Sequence, residues 1–331
     1  MTKTEFDVLT VGNAIVDIIA RADDDFLVRE NIIKASMNLI DADRAEHLYD
    51  VMGPAIEASG GSAGNTAAGI ASLGGKAAYF GKVADDQLGE IFSHDIRAIG
   101  VHFGTKPLDP PPPTARSMIF VTPDGERSMN TYLGACVELG PEDVDADVVA
   151  SSKVTYFEGY LWDPPRAKDA IRLAAKIAHE HERQVAITLS DPFCVDRFRG
   201  EFLDLMRTGT VDIIFANDAE LKSLYETADL GTAMSLAKDD VTLAVVTRGE
   251  EGSIVIKGDE MEEVPAHEID VLEDTTGAGD LYAAGFLYGL THDRSLRDCA
   301  LIGGLAAAEV IQHVGPRPQV KLSDLLAQSG I

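Results

Sequence analysis

From residue 154 to residue 310 the chain repeats one arrangement, a short apolar run followed by a stretch of helical length. VVASSKVTYFEGYL predicts a strand near 154–158, PPRAKDAIRLAAKIAHEHER a helix, QVAITLSDP a strand and FRGEFLDLMRTG a helix. VDIIFAN predicts a strand ending at Asn217, DAELKSLYE a helix, and VTLAVVTRGEEGSIVI a strand, a turn and a strand. Thr276 to Leu290 leads into a long helix, and ALIGGLAAAEVIQH is another. Wholly apolar strands with helical connections suit a sheet covered on both faces, because parallel neighbours need a crossover of about a dozen residues or more. The predicted fold is α/β: a doubly wound, largely parallel central sheet with helices on both faces.

The N-terminal part departs from that rhythm. FDVLTVGNAIVDIIA predicts a strand from Val8 to Val11, an interruption at Gly12 and Asn13, and a second strand through Ile19. In DADRAEHLYDVMGPAI, the residues Ala45, Leu48, Met52 and Ile56 recur at helical spacing. A glycine-rich turn then feeds a helix from Asn65 to Leu73, a strand from Ala77 to Gly81 and a helix from about Asp86 to Ile99. Pro110 to Pro113 stiffen a connection, after which ARSMIFV, PDG and ERSMNTY read as strand, turn and returning strand. A hairpin set between βα units points to a small sheet that projects from the core, inserted as approximately 14–50 and 102–134.

Charge narrows the function classes. The 331 residues carry 55 Asp and Glu against 28 Lys and Arg, a formal net charge of −27. Such a surface repels polyphosphate backbones, which argues against nucleic acid as a partner. A small phosphorylated ligand is compatible with it, because a few backbone N–H groups and one or two Arg side chains make a locally positive pocket. MTKTEFDVLTVGNAIVDIIA lacks the pattern of a secretory leader, and no stretch approaches the roughly 18 apolar residues of a membrane span. Cys136, Cys194 and Cys299 are widely spaced and odd in number, against a disulfide framework or a zinc cluster. Cytoplasm is the expected compartment, with no membrane partner.

Four stretches could carry chemistry, and each has a purely structural alternative. In DTTGAGDLYAAG, Gly277 and Gly279 allow a sharp turn into a helix whose first-turn N–H groups are free to hold an anion. Asp280 would sit beside that anion, where a carboxylate can take a proton from an attacking alcohol; alternatively it merely favours the positive helix end. In GGSAGNTAAG, Gly60, Gly61 and Gly64 can bring backbone close to a polar ligand while Asn65 offers a donor and an acceptor. Asn13 and Asp17 could pair with neighbouring sugar hydroxyls, or serve as turn and cap residues. NDAE, Asn217 to Glu220, could hold water around Mg²⁺ at a strand end, or cap a helix. Thr247, Arg248 and Gly249 could approach nucleotide phosphates, or form a hairpin turn. Neither glycine stretch has the spacing of a Walker loop or of a dinucleotide-binding turn, which makes a nicotinamide enzyme a poor choice.

In their order and separation, GGSAGNTAAGIASLGGKAAYFGKVADDQLG, NDAE, VVTRGEEGS and DTTGAGDLYAAGFLYGL resemble the ribokinase-like (PfkB) carbohydrate and nucleoside kinase family, over essentially the whole chain. VGNAIVDI, LSDPFCVDRF and RSMNTYLGA are more similar to its adenosine kinase branch than to bacterial ribokinases. The resemblance implies one kinase domain over 1–331, with the small sheet as a lid. It implies transfer of the ATP γ-phosphoryl group to a primary hydroxyl, the 5′-hydroxyl of adenosine first among candidates, giving AMP and ADP. Asp280 corresponds to the general base, and the backbone of Gly277, Ala278 and Gly279 to an anion hole. Asn217 and Glu220 correspond to the motif that positions Mg²⁺ through water together with phosphate. Thr247, Arg248, Gly249 and Gly252 fall at the nucleotide-binding turn. Asn13, Asp17, Gly61, Ser62 and Asn65 match the part that grips sugar hydroxyls, and Arg127 resembles a lid arginine that approaches the phosphates on closure. ATP and Mg²⁺ are the implied cofactors and K⁺ a further candidate. The implied partner is a small nucleoside or sugar, and the chain would act as a monomer or as a homodimer through the lid.

A purine needs an apolar, often aromatic wall. FEGYLW offers Phe157, Tyr160 and Trp162, and the resemblance to the nucleoside-kinase branch, which holds an aromatic contact in this neighbourhood, implies Tyr160 as the better candidate. Phe120 and Tyr132 in the hairpin, with Leu39 and Ile40, could close the other side. Kinases of ribose, fructose or 2-keto-3-deoxygluconate are the alternative, the last needing Arg116 or Arg127 for its carboxylate. A non-catalytic binding protein of the same fold is a further alternative.

Overall fold

A computed structural model of the chain describes residues 3–331, and its fourteen strands sort into two sheets. The larger uses β1 (Phe6–Val11), β5 (Ala77–Phe80), β6 (His102–Phe103), β9 (Ser152–Glu158), β10 (Gln184–Thr188), β11 (Ile213–Asn217), β12 (Leu243–Thr247), β13 (Ser253–Lys257) and β14 (Glu260–Val264). Their order is β14-β13-β12-β11-β10-β9-β1-β5-β6. From β6 to β12 every pair is parallel, and β13 and β14 close one edge as antiparallel strands. The smaller sheet is β3-β8-β7-β2-β4, made of β2 (Ile15–Arg21), β3 (Met37–Leu39), β4 (Ala55–Ser59), β7 (Ala115–Val121) and β8 (Arg127–Tyr132).

The period-two geometry of a strand explains why the central runs are apolar throughout. Val8, Tyr156 and Ile213 pack into the core on one face of the large sheet, whereas their successors Leu9, Phe157 and Ile214 pack into the core on the other. The first core is covered by the helices Ser62–Ser72, Ala278–Thr291 and Leu296–Val310, the second by Pro165–Glu180 and Pro192–Arg207. The sheet is therefore wound on both faces, as the alternating pattern predicts.

The differences from expectation have local causes. The predicted helical run to Ile56 stops at Val51, where Gly53 and Pro54 cannot continue it. Beyond that break Ala55–Ser59 is an edge strand of the small sheet, and Ile56 is 71% exposed there. His102–Phe103 joins the large sheet rather than the small one. The small sheet is thus drawn from slightly different stretches than 14–50 and 102–134. Two further elements lack a strong sequence signal: β14, a polar edge strand, and the helix Leu230–Asp240, whose cap Asp229 accepts a hydrogen bond from Thr232 N–H at 2.7 Å.

One helix contact matters for everything that follows. A side chain at Gly69 would stand 2.6 Å from Ala284 Cβ and 2.7 Å from Leu281 Cδ1, so the helices Ser62–Ser72 and Ala278–Thr291 touch because Gly69 has no Cβ. Gly69→Val should therefore destabilise the fold by about 1–3 kcal/mol through overpacking. Urea denaturation monitored by circular dichroism will show this as a lower midpoint.

Candidate active site

The large sheet ends in a cavity of about 550 Å³. Its floor collects Asn13 after β1, Glu158 at the end of β9, Ser190 after β10, Asn217 at the end of β11 and Thr247 at the end of β12. Carboxyl ends of parallel strands are where ligands bind in open α/β sheets. One face of the small sheet forms the roof: Ile15 and Asp17 of β2, Ser117 and Ile119 of β7, Met129 and Thr131 of β8. Alternation sends Arg116 to the opposite face, where it lies over the Tyr132 ring and 3.9 Å from Glu46.

At the bottom of the cavity lies Asp280, third residue of the helix Ala278–Thr291. Its Oδ1 accepts from Ser62 Oγ at 2.6 Å and its Oδ2 from Asn65 Nδ2 at 3.0 Å. Removal from bulk water pushes this carboxyl up to about 6, against the pull of those two hydrogen bonds. Gly277 caps the helix in the left-handed region at φ 83°, and a Cβ there would meet Pro316 at 2.8 Å. Gly277 and Gly279 border the cavity, and the position of a Gly279 side chain is open space. Ala278 differs from expectation: it does not line the cavity, and its N–H donates to the Thr275 carbonyl at 3.2 Å.

A second carboxylate, Glu158, was not foreseen as a site residue. Its Oε1 accepts from both the backbone and the side-chain nitrogen of Asn13, at 2.9 and 2.7 Å, and its Oε2 accepts from Ala63 N–H at 2.7 Å. Those bonds fix Asn13 and the start of the helix carrying Ser62 and Asn65, just after Gly61. A side chain at Gly12 would stand 2.3 Å from Glu158 Oε2, which holds this crossing to glycine. Burial raises Glu158 to about 7, with the Asp280 charge adding to the effect and the Asn13 and Ala63 bonds opposing it. Asp17 faces the same space. Desolvation takes it to about 6 while Arg317 and Arg127 pull it down. Arg317 is the other unforeseen residue, reached only through the loop after the helix Leu296–Val310. Arg127 borders the cavity, and its Nη2 pairs with Asp274 Oδ2 at 3.0 Å across the junction of small sheet and core.

Asn217 and Glu220 line the cavity while forming a reciprocal cap. Asn217 N–H and Nδ2 donate to the two Glu220 oxygens at 3.0 and 2.6 Å, and Glu220 N–H donates to Asn217 Oδ1 at 2.8 Å. Burial raises Glu220 to about 7, opposed by the Asn217 N–H and reinforced by Asp191 and Asp218. Thr247 also borders the cavity. Arg248, Gly249 and Gly252 do not: Arg248 donates to Glu263 at 2.7 Å and to the Glu251 carbonyl at 3.1 Å within the β12–β13 hairpin. The aromatic candidates separate sharply. Phe157 and Trp162 are fully buried, stacked 6.2 Å apart, and Phe120 packs on Phe26 in the core. Tyr160 is 39% exposed at the cavity wall, joined by Phe193, with Leu39 and Met37 opposite. Ile40 and Tyr132 pack against the core instead.

The sequence profile of the pfkB family carbohydrate kinases matches residues 39–321. The chain belongs to this family. As a pfkB member it is 67% identical to a probable sugar kinase from Rhizobium etli CFN 42, with 99% of each chain covered and a TM-score of 0.93. It is 70% identical to the adenosine kinase from Sinorhizobium meliloti, over 98% of this chain and 100% of that one, with a TM-score of 0.92. The adenosine kinase of Saccharomyces cerevisiae is 27% identical over 95% of this chain and 98% of its own length. The chloroplastic probable fructokinase-6 of Arabidopsis thaliana is 31% identical over 72% of this chain, a match that spans 64% of the plant protein. No helix among the described residues is long and apolar enough to cross a membrane.

The raised carboxyls set a pH dependence. A carboxyl whose folded value lies above its unfolded one favours the folded state below the unfolded value, and that advantage is lost as pH rises through the folded value. For Asp280, moved from 3.8 to about 6, the loss falls mainly below pH 7. Wild-type unfolding free energy should therefore drop between pH 5 and pH 8 by about 1 kcal/mol more than that of Asp280→Asn, measured by urea titration of both proteins.

Proposed function

We propose that this protein is a nucleoside kinase that moves the γ-phosphoryl group of ATP to the 5′-hydroxyl of adenosine. The observation that carries the reading is the place of Asp280: a carboxylate at the start of a helix, at the bottom of a cavity whose walls become apolar and aromatic toward Tyr160, Phe193 and Leu39. The likeness to the Sinorhizobium meliloti adenosine kinase, 70% identical over nearly the full chain, supports the same substrate.

In this reading Asn13, Asp17 and Asn65 hold the ribose hydroxyls, and the base lies against Tyr160. Asp280, near neutral affinity for a proton, accepts the hydroxyl proton as the oxygen attacks phosphorus. The free N–H groups at the helix start, on the Gly277 and Gly279 side, face the transferred group and stabilise the charge on its oxygens. Arg127, paired with Asp274 at 3.0 Å, would bring positive charge to the phosphates only on exchanging that partner. Each Glu220 oxygen accepts one hydrogen bond from Asn217 and keeps a lone pair, so the pair suits Mg²⁺ bound largely through water. The ion would supply charge neutralisation for the polyphosphate. A sugar-acid substrate is less well served, since Arg116 faces away from the cavity and Arg127 is paired with Asp274.

Direct measurement of phosphorylated product from adenosine, inosine, guanosine, ribose, fructose and 2-keto-3-deoxygluconate tests the substrate. Adenosine should be used best, Tyr160→Ala should raise its KM about tenfold, and Asp280→Asn should lower kcat by about 10²–10⁴. A large preference for a free sugar would replace the nucleoside reading, and near-normal turnover by Asp280→Asn would remove Asp280 as the base.

A further inference from the structure

The segment 315–317, just beyond the helix Leu296–Val310, touches both halves of the site. Gly315 N–H donates to Asp274 Oδ2 at 3.1 Å, and Pro316 fills the space beside Gly277. Arg317 reaches across to the other glycine stretch: its Nη1 donates to Ser59 Oγ at 2.6 Å and its Nε to Asn65 Oδ1 at 3.4 Å. Its Nη2 is buried with no hydrogen-bond partner. We propose that Arg317 is the positioning residue for Asn65, locking that side-chain amide so that its N–H donors always face Asp280. The inference rests on Asp280 acting as the proton acceptor.

An amide presents an acceptor at one end and donors at the other. With Asn65 Oδ1 held by Arg317, Nδ2 points at Asp280 Oδ2. The flipped amide would set N–H against N–H on one side and carbonyl against carboxylate on the other. While Asp280 is ionised, both neighbours enforce the observed orientation. Once Asp280 has taken a proton it becomes a donor, and a flipped Asn65 carbonyl would suit the acid form. Arg317 has no acceptor and keeps its proton, so it forbids that flip in every state of Asp280. Asn65 then continues to favour the carboxylate, and the base sheds its proton for the next cycle. The other groups facing Asp280 cannot do this: Ser62 is a neutral hydroxyl, Tyr156 and Tyr160 are neutral phenols, and Glu158 acts in the opposite sense. Asp17, whose own neighbours are Arg317 and Arg127, shares the same cation. Asp95 and Tyr79 complete the set around Arg317.

Arg317→Met keeps the stem and removes the donors. It should lower kcat for adenosine about tenfold to hundredfold, as expected for a misplaced catalytic group, and raise KM as well, because Asn65 and Asp17 also hold the ribose. Arg317→Lys should recover part of the loss. If Arg317 acts through Asn65, Arg317→Met combined with Asn65→Ala should be no slower than Asn65→Ala alone; multiplication of the two losses would overturn the proposal. A readout without substrate separates this inference from the kinase reading. In protein labelled with [4-¹³C]aspartate, the Asp280 signal, identified by its loss in Asp280→Asn, should titrate at higher pH in Arg317→Met. An unmoved midpoint sinks the positioning role, whereas a moved midpoint without turnover of any substrate counts against the kinase reading alone. Should Arg317→Met fail to fold by circular dichroism, the same titration in Arg317→Lys decides, with a smaller upward shift expected and no shift overturning the proposal.

Discussion

Asp280 can accept bonds from Ser62 and Asn65 only because two helices, separated by more than two hundred residues in the chain, lie almost in backbone contact. Small residues make that approach possible. Gly69 meets Ala284 and Leu281 at the interface, and Gly285 packs against the backbone of Ile302 on the helix beyond. The alanine and glycine content of GGSAGNTAAGIASLGG and GAGDLYAAG is therefore a distance constraint before it is anything chemical. Bulkier side chains would make as good a core but would carry the hydroxyl and amide donors away from the carboxylate. The polar contact and the apolar packing are one design: the first has its geometry from the second.

The doubly wound, largely parallel architecture was legible in the sequence because period-two burial on both faces forces nearly continuous apolar strands, and because DTTGAGD, NDAE and GGSAGN each fall next to such a strand or open a helix. What depended on side-chain direction was not legible. Phe157, Tyr160 and Trp162 look equivalent in FEGYLW, but a short 3₁₀ turn at Gly159–Trp162 turns only the middle one to the cavity. Arg116 and Arg127 both lie in the hairpin, and strand parity alone separates them. Glu158 and Arg317 carry no motif: each is a lone ionisable residue among apolar or proline neighbours, and its meaning comes from chain segments far away in sequence. The hairpin glycines 249 and 252 have a structural explanation in the tight turn beside β14, where a Gly252 side chain would strike the Val264 carbonyl.

The acidity of the surface continues into the cavity. Over a chain of net charge −27, the cavity brings Asp17, Glu158, Glu220 and Asp280 together and places Arg127 and Arg317 among them. Desolvation of this many carboxyls works against folding above neutral pH, a cost that active sites commonly carry because the same desolvation raises proton affinity into a usable range. The two guanidiniums reduce the cost for Asp17 without being free for solvent, since both are enclosed by protein.

Gly12 to Ala14 are all that join the large sheet to the small one at the start of the chain, and Asn13, in the middle, is clamped to Glu158 at the sheet end. Asp17 follows within the roof strand itself. Any tilt of the roof would have to rotate the backbone that aims Asn13 and Asp17. In the proposed kinase, where these residues hold the ribose hydroxyls, closure and hydroxyl recognition would then form a single mechanical coordinate, and selectivity and gating would have to evolve together.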